Sequence, residues 1–448
     1  MPDTATTFPN KLHLRRLLVN TFAFVTVLVL LVSAMGTSTA RAAGPRFGPA
    51  NAVAVLDWNR ITYRVFAERA YPPPVQGLLG GYVATAVFGA VNAIEGGYTP
   101  YVGQARAARG ASVDAAVATA AYDVLVTLGG TTTQLDADLA TSLASVSDPA
   151  ARAAGIAVGH DAAAAFMATR VGDGRFDTSI TLTTTFGPGV WDVPPTGMTA
   201  PWLGFVRPLA VPSQTWVSLG GPDLLTSDEY AADFAEVKAK GAKTGSTRTA
   251  RQTETAMFYS VNPMPQYNAA LRDRFVRHHG TTGGPAIKAA RTFAIANVAI
   301  ADAIIVGFRA KYDFHNWRPQ QAIQRADTDG NPTTTRQFDW EPLVPNPAYG
   351  DYVSGHAIVT GAFRQAMARL FGPNRIDLFI TSSATGTTRH YQTAAKLKQD
   401  TVNARIWLGL HFRKAMEDGN LVGRKSANYV SKHQFRSLDW NGGSVGSR

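Results

Sequence analysis

The stretch from Pro285 to about Tyr312 limits the fold of this chain more than any other. It is long, rich in alanine, isoleucine and valine, and apolar on several faces at helical spacing. A helix that is apolar on most sides has to be covered on most sides. The pattern therefore predicts a central buried helix with other helices packed around it. Pro285 reads as its first helical position, where a missing backbone N–H costs nothing.

The rest of the chain agrees. Gly81 to Ile94, Ser112 to Leu128 and Asp148 to Arg170 read as helices, with Ser112 and Asp148 as N-caps. Ser227 to Lys240, Thr247 to Tyr259, and Gly355 to Phe371 follow, the last stopped by Gly372-Pro373. His390 to His411 reads as another, continuing from Phe412 to about Val430. No alternating strand pattern is sustained and no internal repeat appears. The expectation is an all-α fold of two four-helix-bundle-like halves with long irregular connections, divided as 43–265 and 266–448. Residues 171–222, rich in Gly, Pro, Thr and Trp, read as an irregular segment that covers a cleft.

The first 42 residues read as a secretory signal rather than as fold. Lys11, Arg15 and Arg16 precede an apolar run from Leu17 to Met35, and Ala40-Arg41-Ala42 offers a cleavage site. A retained membrane anchor is the alternative, since the run approaches spanning length. The expectation is a secreted chain with no stable membrane anchor after cleavage. The 448-residue chain has no cysteine, which excludes disulfides, thiolate metal sites and cysteine nucleophiles. Net charge is +11, from 43 Lys and Arg against 32 Asp and Glu. A basic surface attracts anionic substrates. No long basic run with interleaved aromatics appears, so no nucleic-acid partner is expected.

Three clusters in the last third carry the chemistry. The first is KYDFHNWRP, with Lys311 at the end of the long helix and Arg318 before Pro319. A residue before proline is biased out of the helix, so a helix end and a helix start bring two cations near each other. Arginine offers a planar fork and lysine a point charge. The second is Ser354-Gly355-His356 at the start of a helix. Free N–H groups and the helix dipole there bind anions, and glycine allows close approach. An ordinary Ser cap followed by a core histidine is the plainer reading. The third is RIWLGLH, with Arg405 and His411. Six residues along a helix is not same-face spacing, so these two are not joined by spacing alone. Among other histidines, His278, His279 and His390 read as surface, His160 as packed, and His315 as a candidate for the site entrance. Tyr349 and Phe308 are candidates for pocket walls.

In order and internal spacing the clusters resemble the signature of the vanadium-dependent haloperoxidase and type-2 phosphatidic-acid phosphatase superfamily: Lys-x6-Arg-Pro, Pro-Ser-Gly-His, and Ser-Arg-x5-His-x3-Asp. KYDFHNWRPQQAI, PAYGDYVSGHA and ARIWLGLHFR are similar to its bacterial haloperoxidase-like branch, as are AVLDWNR and ASVDAAVATAAYDVL. The resemblance implies that Lys311, Arg318 and Arg405 neutralise the oxygens of bound vanadate, with phosphate able to occupy the same site. Ser354 and the Gly355 amide complete the cradle, His411 is the metal ligand, and His356 is the acid–base, with an ordinary pKa near neutrality. It implies hydrogen peroxide, halide and a small organic acceptor as partners. An acid phosphatase working through a phosphohistidine at His411 is the alternative, and a non-catalytic binding protein a second. Three positions depart from the signature: Val353 replaces Pro, Ala404 replaces Ser and Ala415 replaces Asp. Asp302 or Asp418 is the expected substitute for that lost acid.

Overall fold

The computed structural model describes residues 50–438 except 104, 108 and 109. The signal-like segment lies outside the described residues. Among these, the helices are α1 (Val53–Glu68), α2 (Pro73–Glu95), α3 (Val113–Gly129), α4 (Thr133–Ala144), α5 (Pro149–Ala168), α6 (Asp228–Gly241), α7 (Ala250–Phe258), α8 (Pro263–His279), α9 (Ala286–Phe314), α10 (Pro319–Gln324), α11 (Gly355–Phe371), α12 (Ala394–Trp407) and α13 (Arg413–His433). The fold is mainly α, with helical bundles joined by long irregular connections.

α9 is the central helix. α2 packs along one side of it, and α11 and α13 along others. At Gly81 of α2 a Cβ would come within 2.9 Å of the Ala301 Cβ and 3.1 Å of the Asn297 carbonyl, so the α2 backbone lies almost on α9. Both helices are long and apolar enough to cross a membrane, but 89% and 94% of their most apolar stretches are buried inside the protein. The N-terminal helices α1, α2, α3 and α5 pack together, as do α9, α11, α12 and α13.

The caps follow local chemistry. Ser112, Asp148 and Ser227 each accept a backbone N–H from the first turn of the helix they precede. Pro285 is the N-cap of α9 rather than its first residue. The irregular segment is as expected apart from a short 3-10 turn at Pro201–Phe205. It is strapped to α9 by the buried Asp302 carboxylate, which accepts N–H groups of Leu209 (2.6 Å), Ala210 (2.8 Å) and Val211 (2.9 Å).

Two expectations need correcting. His390 to His411 is not one helix: β1 (Leu378–Thr381) and β2 (Thr388–Tyr391) pair antiparallel, and α12 starts only at Ala394, capped by Thr393. Strands of four residues are too short to show as a sustained alternation. α12 also stops before His411, because Gly409 turns at φ +78° and its Cα side is pressed against Gly241 and Pro342.

Candidate oxyanion site

Four helix ends converge on one buried spot. Lys311 is in the last turn of α9, Arg318 caps α10, Ser354 caps α11, and Arg405 is in the last turn of α12. The turn at Leu408-Gly409-Leu410 carries the chain off α12, so His411 returns beside Arg318. The helical spacing of Arg405 and His411 is therefore irrelevant to whether they meet. Lys311, Arg318, Ser354, Arg405 and His411 are all at most 5% exposed.

Lys311 Nζ donates to the carbonyls of Gly350 (2.7 Å) and Asp351 (3.0 Å), which leaves it one further donor. Arg318 Nε donates to Tyr349 O (2.8 Å) and Nη1 to Leu410 O (2.8 Å), with Nη1 also 3.3 Å from His411 Nε2. Arg318 Nη2 is buried with no partner. Arg405 Nη1 donates to Tyr259 O (3.1 Å), and its Nε is buried with no partner. Ser354 Oγ accepts the Ala357 N–H, while its own N–H goes to Ala415 O (3.0 Å). The Tyr349 ring lies 4.9 Å from Lys311 Nζ and 5.2 Å from the Arg318 guanidinium carbon, its negative face toward both cations.

One residue of the buried cluster has no counterpart among the sequence-based candidates. His411 Nδ1 lies 2.7 Å from Asp351 Oδ1, and both side chains are buried. Arg318 has only donors, so His411 Nε2 must present a lone pair to it. The ring proton therefore sits on Nδ1 and is donated to Asp351. Asp351, and not a residue at position 415, is thus the acid in contact with His411. Neither expected substitute is that acid: Asp302 holds the strap described above, and Asp418 accepts from Tyr352 OH (2.6 Å) and pairs with Lys414. A signal was present, since Asp351 is the one acid between Glu341 and Asp377 and lies three residues before Ser354.

Burial and the crowding of like charges act together. Burial, reinforced by Arg318 and Arg405, holds the Lys311 ammonium well below the usual lysine range. Burial brings Arg405 down to about 10. Burial and the three cations hold His411 far below the ordinary histidine value, which keeps Nε2 unprotonated. Burial also pushes the Asp351 carboxyl up, against the pull of Arg318 and Lys311. His356 departs from expectation: burial and Arg405 hold it well below its ordinary value, so the neutral-pH argument from a free histidine does not apply in these surroundings. Its Nε2 donates to Val261 O (3.0 Å), leaving Nδ1 as the lone-pair atom.

A cavity of about 410 Å³ opens beside this cluster, with His356, Gly355, Arg405, Tyr349 and Phe308 on its wall. Its wall includes neither His315, which caps α9 in a left-handed conformation, nor any residue of 171–222; the irregular segment packs on α9 instead of covering this cleft. His160 is not packed: it is exposed and paired with Asp123 at 2.5 Å. His278 and His390 are exposed and both bond Asp377.

The fold and this site together define a class. Residues 291–439 match the family model described as the VCPO second helical-bundle domain. The chain is 27% identical to a vanadium chloroperoxidase of Curvularia inaequalis, over a match covering 28% of this chain and 27% of that relative's length. Among solved structures it is similar to a bacterial vanadium-dependent iodoperoxidase (TM-score 0.72, 20% identity, 86% of this chain and 97% of that one). It is also similar to an apo-type bacterial vanadium-dependent chloroperoxidase (TM-score 0.66, 14% identity, 81% and 94%). The chain therefore has the fold of these vanadium haloperoxidases, and its residues 291–439 are similar to their second helical-bundle domain, as the three clusters suggested.

Proposed function

We propose that this chain is a secreted, vanadium-dependent haloperoxidase-like enzyme that uses hydrogen peroxide to oxidise halide and halogenate small organic acceptors. One observation supports it most: Arg318 Nη2 and Arg405 Nε are buried donors with no partner, in a pocket of three cations and one carboxylate. Orphaned charged donors of this kind are costly. A tetrahedral oxyanion would satisfy them, and the donor set fits vanadate. Bound vanadate would supply the centre at which peroxide is activated toward halide.

This chain's residues would do the rest. Lys311, Arg318 and Arg405 bind the oxyanion oxygens, with Ser354 and the Gly355 amide at the positive end of α11 completing the cradle. Asp351 fixes the His411 tautomer, so that Nε2 offers its lone pair as the metal ligand. Val261 holds Nε2–H of His356, so Nδ1 is the atom that takes and returns protons. Secretion rests on the signal-like first 42 residues. The same cradle and lone pair also suit a phosphatase working through His411. Incubation of the pure protein with orthovanadate, peroxide and bromide should halogenate a phenolic dye, and His411→Ala should abolish this. Robust phosphate release from a phosphomonoester, with no dye halogenation under any vanadate supply, would overturn the reading in favour of the phosphatase.

A further inference from the structure

The wall of the cavity beside the cradle carries a phenol. Tyr349 is the only tyrosine among the described lining residues, and it shares that wall with Gly355, His356 and Arg405. The residue is partly exposed. Its hydroxyl is accessible and, among the described residues, has no hydrogen-bond partner. A Cβ on Gly355, at the start of α11 in the cradle, would lie 4.0 Å from that oxygen. Lys311 Nζ and the Arg318 guanidinium carbon sit 4.9 and 5.2 Å from the ring centre, and Phe308 meets the ring edge-on at 5.5 Å. The ring is therefore held in place next to the groups that bind the oxyanion. Other phenols are placed differently. Tyr259, Tyr267 and Tyr391 are buried, and Tyr122 is partly exposed on α3, where it bonds Asp136 of α4 (2.7 Å).

We propose that Tyr349 is a self-halogenation site, where hypohalous acid formed at the cradle attacks the chain's own ring before it escapes to bulk water. The inference rests on the haloperoxidase reading. A phenol oxygen enriches its ortho and para carbons in electrons, and in tyrosine the para carbon is already substituted, so an ortho carbon reacts. Peroxide is the two-electron oxidant that converts halide to hypohalous acid. In the modification step an ortho carbon–hydrogen bond breaks and a carbon–halogen bond forms. The ring carbon gives up two electrons to the halogen, and the displaced proton leaves with the hydroxide of the hypohalous acid as water. Two cations near the ring would by themselves disfavour an electrophile, but a bound oxyanion offsets their charge. The added halogen is bulky on a wall shared with Gly355 and His356. Turnover therefore slows as modified chains accumulate, and the enzyme limits its own output.

The test runs the full chain with orthovanadate, peroxide and bromide while a phenolic dye reports bromination, and then maps brominated peptides by mass spectrometry. Bromine should appear on Tyr349 ahead of Tyr122, and should still appear when taurine is present to trap hypobromite in bulk solution. Reagent hypobromite added to the vanadate-free chain should reverse that order. Tyr349→Phe should carry no bromine at this position, and its dye bromination should decline more slowly with time. Dye bromination with Tyr349 unmodified, modification of Tyr349 that taurine suppresses, or the same order from reagent hypobromite would overturn the inference and leave the enzyme reading standing. A decline unchanged in Tyr349→Phe would overturn the self-limitation. If neither the dye nor Tyr349 is brominated, the enzyme reading falls and the inference falls with it.

Discussion

A histidine can act as ligand or nucleophile only through a nitrogen that carries no proton. In this chain that condition is set by Asp351, which accepts the Nδ1–H hydrogen bond of His411 while Arg318 faces Nε2. Partners of this kind are worth about 10–100-fold in metal affinity or activity. Asp351→Ala should therefore lower vanadate-dependent bromination by roughly that factor. Ala415 and Asp351 line the same small cleft near His411, so adding Ala415→Asp to that variant should restore part of the loss. Wild-type rates in Asp351→Ala would remove Asp351 from the account. The charged groups also fix a pH dependence. Lys311, His356 and His411 are all held below their ordinary values. A bound anion favours their protonated forms and raises those values, so binding takes up protons and weakens as pH rises. Sulfate, whose own charge does not change near neutrality, should lose affinity as pH rises. Calorimetry in buffers of different ionisation heat should report proton uptake; affinity that is flat or rises with pH would contradict this.

At the scale of elements, the cradle depends on how closely α13 approaches α11. A Cβ on Gly423 would lie 2.2 Å from Ile358 O and 2.4 Å from Ala362 N, both backbone atoms that cannot swing aside. Gly419 similarly abuts Ser354 O and the Ala357 Cβ. Gly423→Ala should thus force the helices apart, costing about 1–3 kcal/mol in chemical denaturation and loosening anion binding through the displaced N-terminus of α11. Unchanged stability would show that the crossing can relax. The helices with strong local signals are legible in the amino-acid sequence: Ser112, Asp148 and Ser227 cap as expected, and α11 spans the expected Gly355–Phe371. The stretch from His390 to His411 is not. It begins in the end of β2, and the short strands β1 and β2 lack a run long enough to show a period, while the stop after Trp407 depends on tertiary contacts of Gly409 with Gly241 and Pro342.

At the scale of the molecule, α9 is shared: it packs against α2 from the N-terminal helices and against α11 and α13 from the C-terminal ones. Its composition makes that role readable, since it is a long stretch that is apolar on several sides. The partner of His411 is only faintly readable: Asp351 stands out as the one acid near Ser354, but it lies in the loop before α11 and not at a fixed spacing on α13, and only the folded chain brings it to His411. A shared core helix couples the N-terminal and C-terminal helices energetically. Ile304 of α9 faces Gly77 of α2 and the cavity. Ile304→Ala should cost about 2–5 kcal/mol and still give one calorimetric transition; two separated transitions would show that the halves unfold independently.

The central claim is that three buried cations, with His411, form a site for one oxyanion. Calorimetric titration of the purified chain with orthovanadate tests it directly. The account predicts one vanadate per chain, displaced by orthophosphate. Arg405→Met should weaken this roughly 10–100-fold, as expected for the loss of hydrogen bonds from a charged donor. Vanadate binding that is absent, non-saturable or untouched by Arg405→Met would contradict it.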